Sequence, residues 1–230
     1  MRWHFHTMGE CALLAEPEAD AAGPTALPGR LEAANAAIHA LAAELECSAP
    51  LGIQRPVPGA VSLLVPFDPL RIERKTVERT LLEAASRSGQ HPAPTPRLHT
   101  IGVRYGGDDG PDLAEVAATL GCDEAEVVAR HCAHDYRVLL LGFAPGFPYL
   151  GPLPPALRLP RRSTPRVAVP AGSVAIAAEY SGIYPAVLPG GWHLLGRCAT
   201  ALFDPHADPP AVLLPGDVVR FEPLAGGVVP

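Results

Sequence analysis

The sequence predicts an α+β protein in two parts: a small α/β unit over residues 1–90 and a β-rich domain over residues 98–230. Three observations predict it. Helical periodicity appears twice in the N-terminal part, between short apolar runs suited to strands. A proline-rich stretch, His91–Arg97 (HPAPTPR), then reads as a linker and the domain boundary. Glycine (22) and proline (28) are abundant, and most lie after Phe143. Proline in mid-strand removes ladder hydrogen bonds, so the second part must consist of short strands joined by many turns.

Taken in order, Ala12–Leu14 is a short apolar run suited to a strand. Leu31–Glu46 is alanine-rich, with Leu31, Ala34, Ile38, Leu41 and Leu45 at helical spacing. Gly52–Ile53 and Val61–Val65 read as strands, the second closed by Pro66. Arg71–Arg87 carries Ile72, Val77, Leu81, Leu82 and Ala85 on one face and reads as an amphipathic helix, with Gly89 as its stop signal. Beyond the linker, Leu98–Tyr105 reads as a strand, and Asp112–Leu120 and Asp123–Cys132 as short helices. Asp123 and Glu126 have capping-box spacing. Tyr136–Phe143 is a strongly apolar strand. Short strands follow at Val167–Val169, Val174–Ala177, Trp192–Leu195, Ala211–Leu214 and Val218–Phe221, a spacing that suggests a β-barrel or sandwich.

Composition excludes several function classes. A hydrophobic fraction of 48% and a charged fraction of 18% describe a globular chain. The net charge of -6 gives no electrostatic footprint for nucleic acid or an anionic membrane. No run approaches the roughly 20 apolar residues a membrane helix requires, and Met1–Glu10 lacks the apolar core of a secretory signal. Cys11, Cys47, Cys122, Cys132 and Cys198 are scattered, without Cys-x-x-Cys spacing, so neither disulfides nor zinc are expected and a cytoplasmic location fits. Lys75 is the sole lysine and no glycine-rich run precedes it, so there is no phosphate loop. A nucleophile elbow and a dinucleotide fingerprint are also missing.

Two segments carry chemistry. In Leu141–Gly151 (LGFAPGFPYLG), Phe143, Phe147 and Tyr149 alternate with glycine and proline. Such a loop either holds an aromatic wall against a flat ligand or is a packed turn. In Pro160–Pro170 (PRRSTPRVAVP), Arg161, Arg162 and Arg166 either fork onto a carboxylate or phosphate, or form a solvated loop. Gly190 and Gly191 allow close backbone approach before Trp192, which either covers a ligand or belongs to the core; Arg197 adds a cation. His131, His134 and Asp135 invite a metal reading, but no further ligand follows by spacing. Helix-end capping or a partner contact is the alternative, and no metal is expected.

The ordered motifs LGFAPGFPYLG, PRRSTPRVAVPAGSVAI, SGIYP, PGGW, LFDP and LLPGDVVRF resemble the family of 5-oxoprolinase B-type subunits. That family is also labelled allophanate hydrolase subunit 1 and includes an inhibitor of a sporulation histidine kinase. Tyr105–Gly107, Gly110–Leu113 and His131–Arg137 extend the resemblance, which is dense over residues 98–222 and weaker over 1–97. It implies a cyclophilin-like β-barrel in the C-terminal domain. It also implies a subunit that is inactive alone and pairs with a C-type subunit and an A subunit to open 5-oxo-L-proline to L-glutamate with ATP. The alternatives it implies are a histidine-kinase inhibitor, or a carboxyl-transferase or allophanate hydrolase-type subunit acting on urea-like substrates with biotin on a partner. No biotin-carrying lysine segment is present in this chain. Substrate contact is expected from Arg161, Arg162, Arg166, Arg197, Phe147, Tyr149, Tyr180 and Trp192, and proton handling from His131 and Tyr184. Ala178–Ser181 stand where the family carries Gly-Gly-Gln-Thr, which puts Tyr180 in place of an amide and adds Glu179. Gly59–Val61 depart from the family pattern as well.

Overall fold

A computed structural model describes residues 2–18, 27–88 and 96–228. The chain divides into two compact units, Met1–Thr95 and Pro96–Pro230. Most of the expected linker, and Gly89 with it, lies outside the described residues.

In the first unit, β1 (Trp3–Thr7), β2 (Ala12–Pro17), β3 (Val57–Pro58) and β4 (Leu63–Pro66) form an antiparallel sheet in the order β1-β2-β4-β3. Helices α1 (Leu27–Ser48) and α2 (Arg74–Arg87) supply the rest of its core. Alternation in β2 buries Leu13 and Ala15, and β4 buries Leu63 and Val65. These residues meet Ile38, Leu41 and Leu45 of α1 and Val77, Leu81 and Ala84 of α2. Both helices follow the periodicity of the sequence, although α1 begins before Leu31. The strand expected at Gly52–Ile53 is reduced to one bridge, Ile53 to Phe67. Segment β1 alternates as well, with Trp3 and Phe5 packed against this core. It is held by pairing to β2, with His4 and His6 facing Glu18 and Glu16 on the surface.

The second unit is a closed barrel of β5 (Leu98–Tyr105), β6 (Asp135–Leu141), β7 (Pro148–Gly151), β9 (Ser173–Ala177), β10 (Tyr180–Ile183), β12 (His193–Arg197) and β13 (Val218–Pro223). The order around it is β10-β7-β6-β13-β5-β12-β9. All its pairings are antiparallel except β13 with β5, which run parallel from Val218 opposite Leu98. Helices α3 (Leu113–Leu120) and α4 (Glu124–Cys132) join β5 to β6. As the spacing predicts, the Asp123 carboxylate accepts the Glu126 N–H at 2.8 Å and caps α4. Strands β8 (Arg166–Val169) and β11 (Leu188–Gly190) form a separate two-stranded ribbon. The α+β architecture with a β-barrel is therefore as expected. Strands β7, β10 and β11 lie in segments whose glycine and proline content reads as turns. Ala211–Leu214, expected as a strand, makes only one bridge, Ala211 to Phe203.

Buried side chains of alternate strand positions fill the barrel, among them Ile101, Val103 and Tyr105 of β5 and Val219 and Phe221 of β13. The parallel seam is closed at its start by Asp217. Its carboxylate accepts from Arg97 Nη2 at 2.8 Å, from the Leu214 N–H at 3.0 Å and from the Arg97 N–H at 3.2 Å, and it lies 3.0 Å from His99 Nε2.

A polar chain crosses the interior. His131 is fully buried, with Nδ1 2.8 Å from Tyr105 Oη and Nε2 3.0 Å from Ser181 Oγ. Its ring stacks on Phe221 at a centroid distance of 4.6 Å. Burial, helped by the charge of His134, lowers its pKa from 6.5 to about 3, so the ring is neutral in the fold. The folded value lies below the unfolded one. The stabilising contribution is therefore complete above pH 6.5 and is lost as pH falls toward 3. Denaturant titrations between pH 7 and 5 should show stability falling with pH, at most about 1.4 kcal/mol per unit from this one proton. In His131→Gln that part of the slope should vanish; an unchanged slope would place the titrating group elsewhere.

Candidate functional site

The segment between β5 and α3 (YGGDDGPD) sets the site. Gly106 N donates to Leu195 O at 3.0 Å, and Asp112 N donates to Leu194 O at 3.1 Å, which lays the loop along β12. A Cβ on Gly110 would overlap the Leu195 carbonyl, so only glycine allows this approach. The Asp112 carboxylate, buried at the start of α3, receives four hydrogen bonds. One oxygen accepts from Arg162 Nη1 at 2.9 Å and Arg166 Nη2 at 2.6 Å. The other accepts from Arg166 Nη1 at 2.9 Å and the Leu194 N–H at 2.7 Å. That fills the acceptor sites of a carboxylate. Burial alone would raise its pKa. The hydrogen bonds from Arg166 and Leu194 and the charges of Arg166 and Arg162 outweigh burial and hold it below the ordinary range.

The arginine cluster is thus largely neutralised from within. Arg162 also reaches Glu115 at 2.9 Å, Arg197 lies 3.2 Å from Asp109, and Asp109 is shared with Arg104 at 2.8 Å. Arg158 lies 3.6 Å from Glu179. Arg162, Arg166 and Arg197, expected to contact substrate, are each paired with carboxylates of the same chain. Arg161 is exposed and makes no ion pair among the described residues.

Beside it lies an aromatic cluster distinct from the main barrel core. Phe147 is its hub, edge-on to Tyr184 at 5.2 Å, Tyr149 at 5.3 Å, Phe143 at 5.3 Å and Trp192 at 5.6 Å. Tyr180 meets Tyr149 edge-on at 5.6 Å. Phe147, Tyr184 and Trp192 are buried, Tyr149 and Tyr180 are partly open, and the Phe143 ring is 59% exposed. Phe143 has φ 67°, a left-handed conformation that costs a non-glycine residue about 1–3 kcal/mol. A Cβ on Gly190 would overlap Tyr184 Oη, so the glycine lets the ribbon close over the phenol. Burial raises the pKa of Tyr184, and Tyr149 adds to the rise. Arg161, a backbone hydrogen bond with Trp192, and Arg166 oppose it. The phenol therefore stays protonated at neutral pH.

Of the residues singled out in the sequence, Arg161, Phe147, Tyr149, Tyr180, Tyr184 and Trp192 converge, with Phe147 and Trp192 as the supporting layer. His131 is corrected: it is sealed in the barrel with both ring nitrogens engaged, so it neither meets a substrate nor ligates a metal. Asp135 is held by both Arg220 guanidinium nitrogens, at 2.8 Å and 2.7 Å. Among the described residues no group of three or more His, Cys, Asp or Glu side chains is placed to hold a metal ion. Sequence reasoning missed the part played by Asp112. Its one signal is that an acidic segment, 108–115, and an arginine-rich one, 161–166, occur in the same domain.

A family profile, carboxyltransferase domain, subdomain C and D, matches residues 3–213. The chain is 38% identical over 200 residues to the 5-oxoprolinase B subunit of Bacillus subtilis (strain 168), covering 83% of each chain. The chain belongs to the family of 5-oxoprolinase B-type subunits. It is also 53% identical over 135 residues to the 5-oxoprolinase B subunit of Escherichia coli O157:H7, an alignment covering 59% of this chain and 62% of that relative. The crystal structure of TTHA0988 superposes with a TM-score of 0.75 at 40% identity over 96% of this chain, but only 41% of that longer polypeptide. The Kluyveromyces lactis urea carboxylase shares the fold, with a TM-score of 0.74 at 22% identity over 97% of this chain and 22% of its own.

Replacing Asp112 by Ala should leave Arg162 and Arg166 without their buried partner and cost about 3–5 kcal/mol. Glu115→Ala removes only an exposed partner and should cost at most about 1 kcal/mol. Equal losses for the two variants in urea unfolding would show that Asp112 is not the anchor.

Proposed function

We propose that this chain is the B-type subunit of an ATP-dependent 5-oxoprolinase. It would act with a C-type and an A subunit to convert 5-oxo-L-proline to L-glutamate. The observation that carries the reading is that Arg161, exposed and without an ion pair among the described residues, lies near enough to the aromatic cluster for its charge to act on Tyr184. The substrate is a flat lactam bearing one carboxylate. Arg161 offers that carboxylate a two-point, charge-assisted contact. Phe143, Tyr149 and Tyr180 offer ring faces and edges to the lactam. Tyr184, covered by the ribbon at Gly190, helps to hold these rings in place.

In the reaction, water adds at the amide carbonyl, the ring C–N bond breaks, and the nitrogen leaves as the amine of glutamate. ATP supplies the driving force when bound to the complex. This chain itself carries no phosphate-loop motif: Lys75, its sole lysine, lies on α2 and no glycine-rich run precedes it. The name of the matching profile, carboxyltransferase domain, favours a second reading in which the same face receives a urea-like amide.

The test is ATP-dependent glutamate release from 5-oxo-L-proline by this chain with its cognate C and A subunits. Release should vanish when this chain is omitted. Arg161→Ala should raise KM roughly 10-fold or more, the worth of a charge-assisted hydrogen bond, without changing the thermal midpoint. An assembled complex that releases no glutamate would overturn the 5-oxoproline reading and leave the urea-type one.

A further inference from the structure

Arg161 stands between two peptide groups that are both held. A residue has two soft backbone dihedrals, so fixing the peptide on each side fixes where its side chain leaves the chain. On one side, Arg162 N donates to Gly191 O at 2.8 Å. On the other, the Pro160 carbonyl oxygen lies 2.9 Å from His193 Nε2. A carbonyl only accepts, so Nε2 carries the hydrogen and donates it. His193 opens β12 and pairs with Ile176 of β9 through its backbone, which leaves its ring to make the contact with the loop. The residues beside it are tied as well. Trp192 shares a backbone hydrogen bond with the Tyr184 phenol, and Leu194 N donates to the Asp112 carboxylate at 2.7 Å. The segment 191–194 is thus a rail that fixes the arginine loop, Tyr184 and Asp112 relative to one another.

The His193 residue is only 9% exposed, and its Nδ1 is buried with no hydrogen-bond partner among the described residues. A buried polar atom left unmet is unfavourable. A ring with half its polar capacity idle is therefore useful only through the one bond it makes. An apolar side chain of the same reach would fill the place without that penalty, but it would release the Pro160 carbonyl. We propose that His193 is a positioning residue for substrate binding: through the Pro160 carbonyl it sets the direction of Arg161 toward the substrate carboxylate. The inference rests on the 5-oxoproline reading above, in which Arg161 takes that carboxylate. His193 itself touches no substrate, since its ring is covered. Asp112 and His193 divide the loop between them. Asp112 holds Arg162 and Arg166 by their side chains. His193 holds main chain only, and so leaves the Arg161 side chain exposed.

The test compares two variants of similar reach that differ in the donor. His193→Gln offers an amide N–H in place of Nε2, and His193→Met offers none. In the complex with the cognate C and A subunits, His193→Met should raise KM for 5-oxo-L-proline about 5-fold, the worth of a neutral hydrogen bond, with kcat unchanged. His193→Gln should keep the wild-type KM. In an Arg161→Ala background His193→Met should add nothing further, because a residue that acts through Arg161 has no effect once the guanidinium is gone. A merely structural role would raise KM equally in both backgrounds. Equal KM values for the Gln and Met variants, or a full effect of Met in the Arg161→Ala background, would overturn this inference alone, provided that Arg161→Ala still raises KM. An Arg161→Ala complex with the wild-type KM, or no glutamate release at all, removes the 5-oxoproline reading and the inference with it. Independently of any substitution, nitrogen-15 NMR of the wild-type chain should show His193 as the Nε2–H tautomer; an Nδ1–H ring sinks the proposal.

Discussion

The buried carboxylate of Asp112 is the interaction on which the candidate site depends. It joins three pieces of chain that are distant in sequence: the start of α3, the arginine loop through Arg162 and Arg166, and the backbone of β12 at Leu194. A buried ion pair repays its desolvation only when its hydrogen bonds are complete. Here the acceptor sites are filled and the Arg166 fork is met in two-point fashion. The tie fixes where the loop leaves the barrel, and so where Arg161 and the following ribbon lie.

That tie also changes the meaning of the charge pattern. Arg161, Arg162 and Arg166 in six residues look like a site waiting for an anion, whereas the fold has supplied the anions itself from Asp112 and Glu115. Asp109 does the same for Arg104 and Arg197. The outcome is a loop whose cationic character is much reduced, with Arg161 alone of these three arginines left without an ion pair among the described residues.

Much of the fold was legible. Residues whose burial follows a period, such as Ile38, Leu41 and Leu45 on α1 or Ile101, Val103 and Tyr105 on β5, announce their elements because one face must leave water. Strands β7, β10 and β11 were hidden because they are short, hold glycine or proline, and owe their conformation to partners across the barrel and ribbon rather than to local preference. The aromatic members of the site could be read from their spacing. The division of the arginines could not, since it depends on a carboxylate about 50 residues away in the chain, and pairing of that kind leaves no local pattern. His131 misled for a related reason: a histidine near a helix end suggests an exposed, reactive ring, and only the fold shows Tyr105 and Ser181 engaging it inside the barrel.

The aromatic cluster is a rigid unit with a buried base and a partly open rim. Its rings contact one another edge to face, a geometry that holds each plane rigid. Phe147 and Trp192 have no free surface to offer a ligand, so they act as a fixed base for Tyr149, Tyr180 and Phe143. Phe143 adds a second argument. Its left-handed backbone is unfavourable for a side chain of this size, and the residue is 59% exposed in this chain. The ring contacts with Phe147 and Tyr184 are what offset that cost within this chain, so the strained turn and the cluster depend on each other.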